Sequence, residues 1–168
     1  MTHRNQIRLA QDRDVDALVE VLGDREFVKD RLDRQAAGLG ELLTIWSGDV
    51  LLGSMYIWLE DAEEPELRKW LPGVPLFTRI EVLERYRGKG IGTKLIRAGE
   101  DRLRKAGYRS VALAVEITNF GAELLYKRLY FDEWEHGQIT CEGVEVLEDG
   151  YRKPYKETCR IMVKRLED

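Results

Sequence analysis

Cysteine and histidine are scarce in this 168-residue sequence, which contains two of each. Cys141 and Cys159 are far apart, and neither has a second Cys or a His at the spacing of a metal-binding motif. A disulfide framework is therefore not expected, and neither is a metal site. Such cysteine usage is typical of a cytoplasmic protein.

Long apolar runs are also absent. No run approaches the roughly 20 residues that a membrane-spanning helix needs, and the N-terminal stretch MTHRNQIRLAQDRD is too polar for a secretory signal. The sequence shows no internal repeat and no low-complexity linker between domains. We therefore expect a single domain over residues 1–168, located in the cytoplasm and not bound to a membrane.

Positive charge is not in excess. The 27 Lys and Arg residues are outnumbered by 31 Asp and Glu, which leaves a net charge of −4. Because nucleic-acid binders are usually basic, a nucleic-acid partner is not favoured. A local basic cluster nevertheless exists at residues 85–96, RYRGKGIGTKLI, where three glycines lie within five residues.

Hydrophobic periodicity predicts alternating strands and helices. In chain order, the pattern predicts a strand at residues 7–9, helices near 15–22 and 27–36, a hairpin over 41–59 that turns at 47–49, a strand at 77–82, a helix at 90–106, a strand at 110–115, a helix after 119, and strands at 134–144 and 158–165. The prolines of residues 60–75 argue against regular structure there. Since a strand–helix–strand unit usually joins parallel strands, the sequence predicts a mixed α/β sheet with its parallel pair in the centre.

The glycine-rich stretch follows an apolar strand and opens a helix, which is the arrangement of an anion site. Two familiar nucleotide motifs do not fit it. The nucleotide-triphosphate loop requires a Gly-Lys-Ser/Thr ending, whereas here Thr93 precedes Lys94. The dinucleotide fingerprint requires a glycine three residues after Gly90, where Thr93 stands.

Arg87-x-x-Gly90-x-Gly92 resembles the pyrophosphate-binding signature, Q/R-x-x-G-x-G/A, of the GNAT superfamily of N-acetyltransferases. The downstream stretch NFGAELLY, residues 119–126, is similar to the second signature of that superfamily, N-x-x-A-x-x-L-Y. Both occur in order, each at the start of a predicted helix. One departure is Tyr130, which stands before Phe131 where the family often has glycine.

The resemblance implies a largely antiparallel mixed sheet with flanking helices. Its two central parallel strands, residues 77–82 and 110–115, would splay apart and hold the pantetheine arm of acetyl-CoA. The implied reaction is transfer of an acetyl group to a primary amine of a small molecule or peptide, by direct attack in a ternary complex. A non-catalytic acyl-CoA sensor of the same fold remains an alternative, as does an interaction domain with a coincidental glycine turn.

The resemblance also implies roles for single residues. The pyrophosphate would be cradled by Arg87, Gly88, Lys89, Gly90, Ile91, Gly92 and Thr93, with the Ile91 side chain facing the core. A backbone N–H of Val82 or Leu83 would bind the thioester carbonyl. Asn119 would contact the pantetheine, although it is equally a good helix N-cap.

Tyr126 is the predicted catalytic acid for the leaving CoA thiolate, although it could simply pack on the apolar face of its helix. The candidate bases are Glu81 and Glu116, at the ends of the two splayed strands, followed by His136. Each glutamate could instead be an exposed strand-end carboxylate.

The amine acceptor is not readable from the sequence. The hairpin and loop that would border the acceptor pocket contain Trp46, Tyr56, Trp58 and Trp70, although tryptophans on strands more often belong to the core. The acidic segment EDAEEPE, residues 60–66, could attract a cation or could be a solvated loop. The resemblance also allows a homodimer formed through the C-terminal strands.

Overall fold

The computed structural model describes residues 4–166 and, within them, one mixed sheet of eight strands with five α-helices. The strands are β1 (Asn5–Leu9), β2 (Gly40–Ser47), β3 (Val50–Trp58), β4 (Leu76–Val82), β5 (Ser110–Glu116), β6 (Asp132–Glu133), β7 (Ile139–Val146) and β8 (Arg152–Arg165). The helices are α1 (Val15–Leu22), α2 (Arg25–Ala36), α3 (Pro65–Trp70), α4 (Ile91–Lys105) and α5 (Phe120–Arg128). The predicted α/β class is confirmed.

The sheet has one parallel pair among the described strands. Its order is β1-β2-β3-β4-β5-β8-β6, with β7 paired to β8. Only β4 and β5 run parallel, and they pair at just two positions, Leu76 with Ala112 and Phe77 with Leu113. Both strands continue beyond these pairs without pairing to each other, so a gap opens at the centre of the sheet. The predicted splayed pair is confirmed.

A bulge in β4 lies where the two strands diverge. Tyr56 of β3 pairs with Thr78, but Ser54 pairs with Glu81, so β4 contains one extra residue between these pairs. Arg79 lies in this stretch and has a left-handed backbone, with φ of 51°. Since a bulge bends its own strand, it turns the end of β4 away from the regular path of the ladder.

Helices cover both faces of the sheet, which explains why β2 and β3 are buried along most of their length. Alternate residues point to opposite faces. Leu42 and Tyr56 belong to the apolar cluster under α1, α2 and α3, whereas Leu43 and Ile57 belong to the cluster under α4 and α5. The central strands therefore read as continuous apolar runs.

Helix α4 follows the predicted pattern closely. Its stripe of Ile91, Leu95, Gly99 and Leu103 is buried. A Cβ on Gly99 would come within 2.6 Å of the Met55 side chain and 2.9 Å of the Phe77 ring, so glycine permits the close approach of α4 to the sheet. None of the helices in residues 4–166 has the length and apolar character to cross a bilayer.

Three regions differ from the prediction. The strand predicted at residues 134–144 begins only at Ile139, because a turn at residues 135–136 precedes it. Residues 60–75 contain helix α3, because Pro65 occupies its first turn, where a missing N–H costs no hydrogen bond. The C-terminal strand is longer than predicted, because β8 pairs along one part with β7 and along another with β5. Its N-terminal half is polar and exposed, so hydrophobic periodicity does not indicate a strand there.

Candidate active site

The gap between β4 and β5 leads into a cavity of about 1250 Å³. The residues that line this cavity come from β4, β5 and α5 and also from α2, α3, β7 and β8. Four of the predicted site residues line it: Glu81, Glu116, Asn119 and Tyr126. The glycine-rich loop and His136 are not among its lining residues.

The glycine-rich loop forms an exposed turn at the start of α4. Gly88 and Gly90 have left-handed backbones, with φ of 76° and 79°, which glycine adopts without a steric penalty. Gly90 is the N-cap of α4, and no side chain caps the helix there. Among residues 4–166, no acceptor takes the backbone N–H groups of residues 88–93. The loop therefore presents a row of free donors at the positive end of a 15-residue helix.

Side chains of the same loop add positive charge beside these N–H groups. Lys89 is exposed beside Tyr86, whereas Arg87 donates from Nε to the carbonyl oxygen of Val82, 3.0 Å away. Ile91 is buried, as predicted for a core residue. A Cβ on Gly92 would have no heavy atom within 4 Å, so this position is open toward solvent.

The end of β4 presents one backbone N–H to the gap. Leu83 donates its N–H to the carbonyl of Leu52 at 3.0 Å, so this N–H is already engaged by β3. Along an antiparallel ladder, neighbouring residues point their N–H groups to opposite sides. The N–H of Val82 therefore faces away from β3, on the side where the gap lies.

Tyr126 projects from α5 into the cavity and is half-buried. Its ring packs against Phe131, with the ring centres 6.1 Å apart. Burial raises the pKa of the Tyr126 phenol, and the negative charge of Glu81 raises it further. The hydroxyl therefore remains protonated at neutral pH and can donate.

Glu81 and Glu116 lie in different environments within the cavity. The Glu81 carboxylate is close enough to Tyr126 to act on its pKa. The Glu116 carboxylate accepts from the backbone N–H of Thr118 at 2.9 Å and from the Thr118 hydroxyl. Glu116 therefore also stabilises the turn between β5 and α5.

The two ends of α5 carry the predicted N-cap, Asn119, and the departure from the family pattern, Tyr130. The Asn119 side chain caps the helix by accepting from the N–H of Ala122 at 3.1 Å, which confirms the capping role. At the other end, Tyr130 has a φ of 71°, a left-handed backbone at the position where the family often has glycine. The chain therefore leaves α5 through a backbone conformation that glycine adopts more easily than tyrosine.

The aromatic candidates separate into two groups. Trp46, Tyr56 and Trp58 are buried in the core, and of these Trp58 also lines the cavity. Trp70 is exposed and stacks on the His136 ring at 3.9 Å. His136 is thereby held outside the cavity rather than beside Tyr126.

Several residues that line the cavity were not predicted from the sequence. Arg79 faces the cavity from the bulge of β4, and Phe27 and Arg31 face it from α2. Cys141 and Cys159 line it from neighbouring strands. Strand alternation could have indicated the two cysteines, but no local signal marks the bulge. In residues 4–166, no group of three or more His, Cys, Asp or Glu residues is arranged to hold a metal ion.

The chain is similar to known proteins both in sequence and in fold. The mycothiol acetyltransferase of Corynebacterium efficiens is 32% identical over 91 residues, which make up 54% of this chain and 27% of that relative. The chain thus matches only about a quarter of the length of this longer relative.

Two solved structures share the fold. An N-acetyltransferase from Staphylococcus aureus Mu50 aligns with a TM-score of 0.73 at 16% identity, covering 98% of this chain and 99% of that one. The PaiA N-acetyltransferase from Thermoplasma acidophilum, in complex with coenzyme A, aligns with a TM-score of 0.68 at 18% identity, covering 96% and 99%. The model of the acetyltransferase (GNAT) family matches residues 9–131, most of the chain. The chain therefore belongs to the GNAT acetyltransferase family.

Proposed function

We propose that this protein transfers the acetyl group of acetyl-CoA to a primary amine of a small molecule or peptide. The observation that carries the proposal is the sheet gap, which has free N–H donors near one end and a cavity containing Tyr126 at the other. Family membership supports acetyl transfer. The similar fold of a protein solved with coenzyme A supports the choice of donor.

Acetyl-CoA would bind along the gap. Its pyrophosphate would accept hydrogen bonds from the N–H groups of residues 88–93, with the charges of Arg87 and Lys89 nearby. The open space at Gly92 fits such an approach. The pantetheine arm would then pass Asn119, and the thioester would reach the cavity near Val82 and Tyr126.

Two donors would act on the thioester. As the amine nitrogen bonds to the carbonyl carbon, negative charge develops on the carbonyl oxygen, where the N–H of Val82 stabilises it. When the carbon–sulfur bond breaks, the Tyr126 hydroxyl donates to the departing sulfur. Because the pKa of Tyr126 is raised, its first contribution is a strong hydrogen bond to the thiolate, and the proton follows.

The acceptor must lose a proton, because an alkylamine is mostly protonated at neutral pH. We assign this role to Glu81, directly or through a water molecule, because its carboxylate faces the cavity and acts on Tyr126. Glu116 is the second candidate, since its carboxylate is already engaged by Thr118.

A route through an acetylated cysteine is not favoured. A hydrogen bond with Cys159, together with burial, raises the pKa of the Cys141 thiol well above its usual range. The thiolate needed for nucleophilic attack is therefore scarce. This observation supports direct attack by the amine.

Two measurements on the intact protein test the proposal. Calorimetric titration with CoA should show binding, and acetyl-CoA with a panel of primary amines should release free thiol. Binding without amine-dependent thiol release would indicate the sensor alternative. If neither occurs, the protein is an interaction domain and the proposal fails.

A further inference from the structure

Arg79 lines the cavity and forms no ion pair of 4.0 Å or less within residues 4–166, although its charge acts on Asp24. Its guanidinium lies over the Phe27 ring, 4.2 Å from the ring centre. The other cations that line the cavity are paired. Arg152 bonds to Asp24, Lys156 lies near Glu142, and Arg31 contacts Asp30.

A second guanidinium shares the same ring. The Arg31 guanidinium carbon also lies 4.2 Å from the centre of Phe27. Its Nε is buried and has no hydrogen-bond partner within the described part of the chain. Burial lowers the pKa of Arg31, because removing the charged guanidinium from water is unfavourable. Two cations around one ring in a half-enclosed cavity favour an anion between or beside them.

The backbone of Arg79 adds an independent observation. A left-handed conformation is strained for a residue with a side chain, and glycine would avoid that strain. Strain of this kind is concentrated at functional sites, where it directs a side chain or a backbone group. Here the bulge turns the Arg79 side chain into the cavity, on the same strand as Glu81.

The remaining charges of the cavity favour an ammonium group. Glu63, Glu64, Glu81 and Glu157 line it, and none is in an ion pair within residues 4–166. A diamine would satisfy these carboxylates but would be repelled by Arg79. An acceptor with both an ammonium and a carboxylate would satisfy both groups.

We propose that Arg79, supported by Arg31, determines acceptor specificity by binding a carboxylate of the acceptor. The acceptor is then an amine that also carries a carboxylate, such as a free amino acid, rather than a diamine. This inference rests on the proposed acetyl transfer and narrows its substrate class. It predicts that, of two amines that differ only in a carboxylate, the carboxylated amine reacts faster.

The test compares amines that differ only in the carboxylate. Thiol release from acetyl-CoA is measured with L-leucine, L-leucinamide and 3-methylbutylamine, and with L-lysine and cadaverine. We expect kcat/KM to be about tenfold or more higher for the carboxylated member of each set, as a charged hydrogen bond provides. Equal rates, or faster reaction of cadaverine, would overturn the inference and leave acetyl transfer intact.

Three variants separate a specific contact from a general effect of charge. Arg79→Gln should abolish the preference by raising KM for the carboxylated amine, with kcat little changed, whereas Arg79→Lys should restore part of it. Lys156→Gln removes one positive charge from the same cavity and should keep the preference. An unchanged preference in folded Arg79→Gln would contradict the proposal. CoA binding without thiol release from any amine would count against both proposals.

Discussion

Tyr126 is the residue on which the proposed chemistry depends most directly. Removing its hydroxyl should slow thiol release about 100-fold, the usual contribution of a positioned acid, because the departing thiolate loses its donor. CoA affinity should be unchanged in Tyr126→Phe, since the ring still packs against Phe131. Single-turnover thiol release and calorimetry measure the two quantities. A wild-type rate in this variant would remove Tyr126 from the mechanism.

The pH dependence of Tyr126 has a definite sign. The phenol acts in its protonated form, so its contribution is present below its pKa and is lost as pH rises through that pKa. Burial, and then Glu81, raises this pKa above its ordinary value of 10.0. Rate profiles of wild type and Tyr126→Phe should therefore converge only above pH 10.0. A decline that depends on Tyr126 and is centred at lower pH would contradict this placement.

Gly92 tests the anion site without disturbing the fold. Because a Cβ there would touch nothing within 4 Å, Gly92→Leu should fold with wild-type stability. Its side chain would nevertheless occupy the approach to the free N–H groups, and we expect CoA affinity to fall by at least about 100-fold. Gly92→Ala is the matched control and should bind far better. Full CoA affinity in folded Gly92→Leu would exclude the proposed cradle.

At the scale of elements, one exposed residue just after α5 has a strained backbone conformation. Tyr130 is left-handed, with φ of 71°, and 79% of its surface is exposed. Tyr130→Gly should raise the free energy of unfolding by up to about 1 kcal/mol, because relief of the strain exceeds the entropy cost of glycine. Urea denaturation measures the change.

Tyr130→Ala is the control for this exit, because it removes the ring but keeps the left-handed strain. It should give no increase in stability. If alanine stabilises as much as glycine, the effect arises from the exposed ring rather than from the backbone.

Local patterns explain which elements were predictable. The apolar stripe of α4 and the N-cap at Asn119 each depend on residues only a few positions apart. Both could therefore be located from the sequence alone. Helix α3 is not predicted by the prolines of residues 60–75, because proline discourages a helix interior, although Pro65 suits a first turn. β8 was shortened because its polar half is stabilised by pairing with β7, which no local pattern reveals.

At the scale of the whole molecule, the site combines segments that are distant in sequence. The glycine loop and α5 were predictable because their signatures are local. Other lining residues come from α2, α3, β7 and β8, which only long-range packing brings to the same cavity as Tyr126. The bulge at Arg79 breaks strand alternation, so counting residues along β4 could not place Arg79 in the cavity. Sequence alone could not separate Val82 from Leu83 either, because the ladder register decides which N–H pairs with β3.

The most direct test of the account follows the acetyl group itself. Acetyl-CoA with an isotope-labelled acetyl group is incubated with the protein and a primary amine, and the amine is analysed by mass spectrometry. We predict that labelled acetyl appears on the amine nitrogen in an amount equal to the thiol released. Thiol release without labelled amine, or labelled amine formed equally well without the protein, would contradict enzymatic N-acetyl transfer.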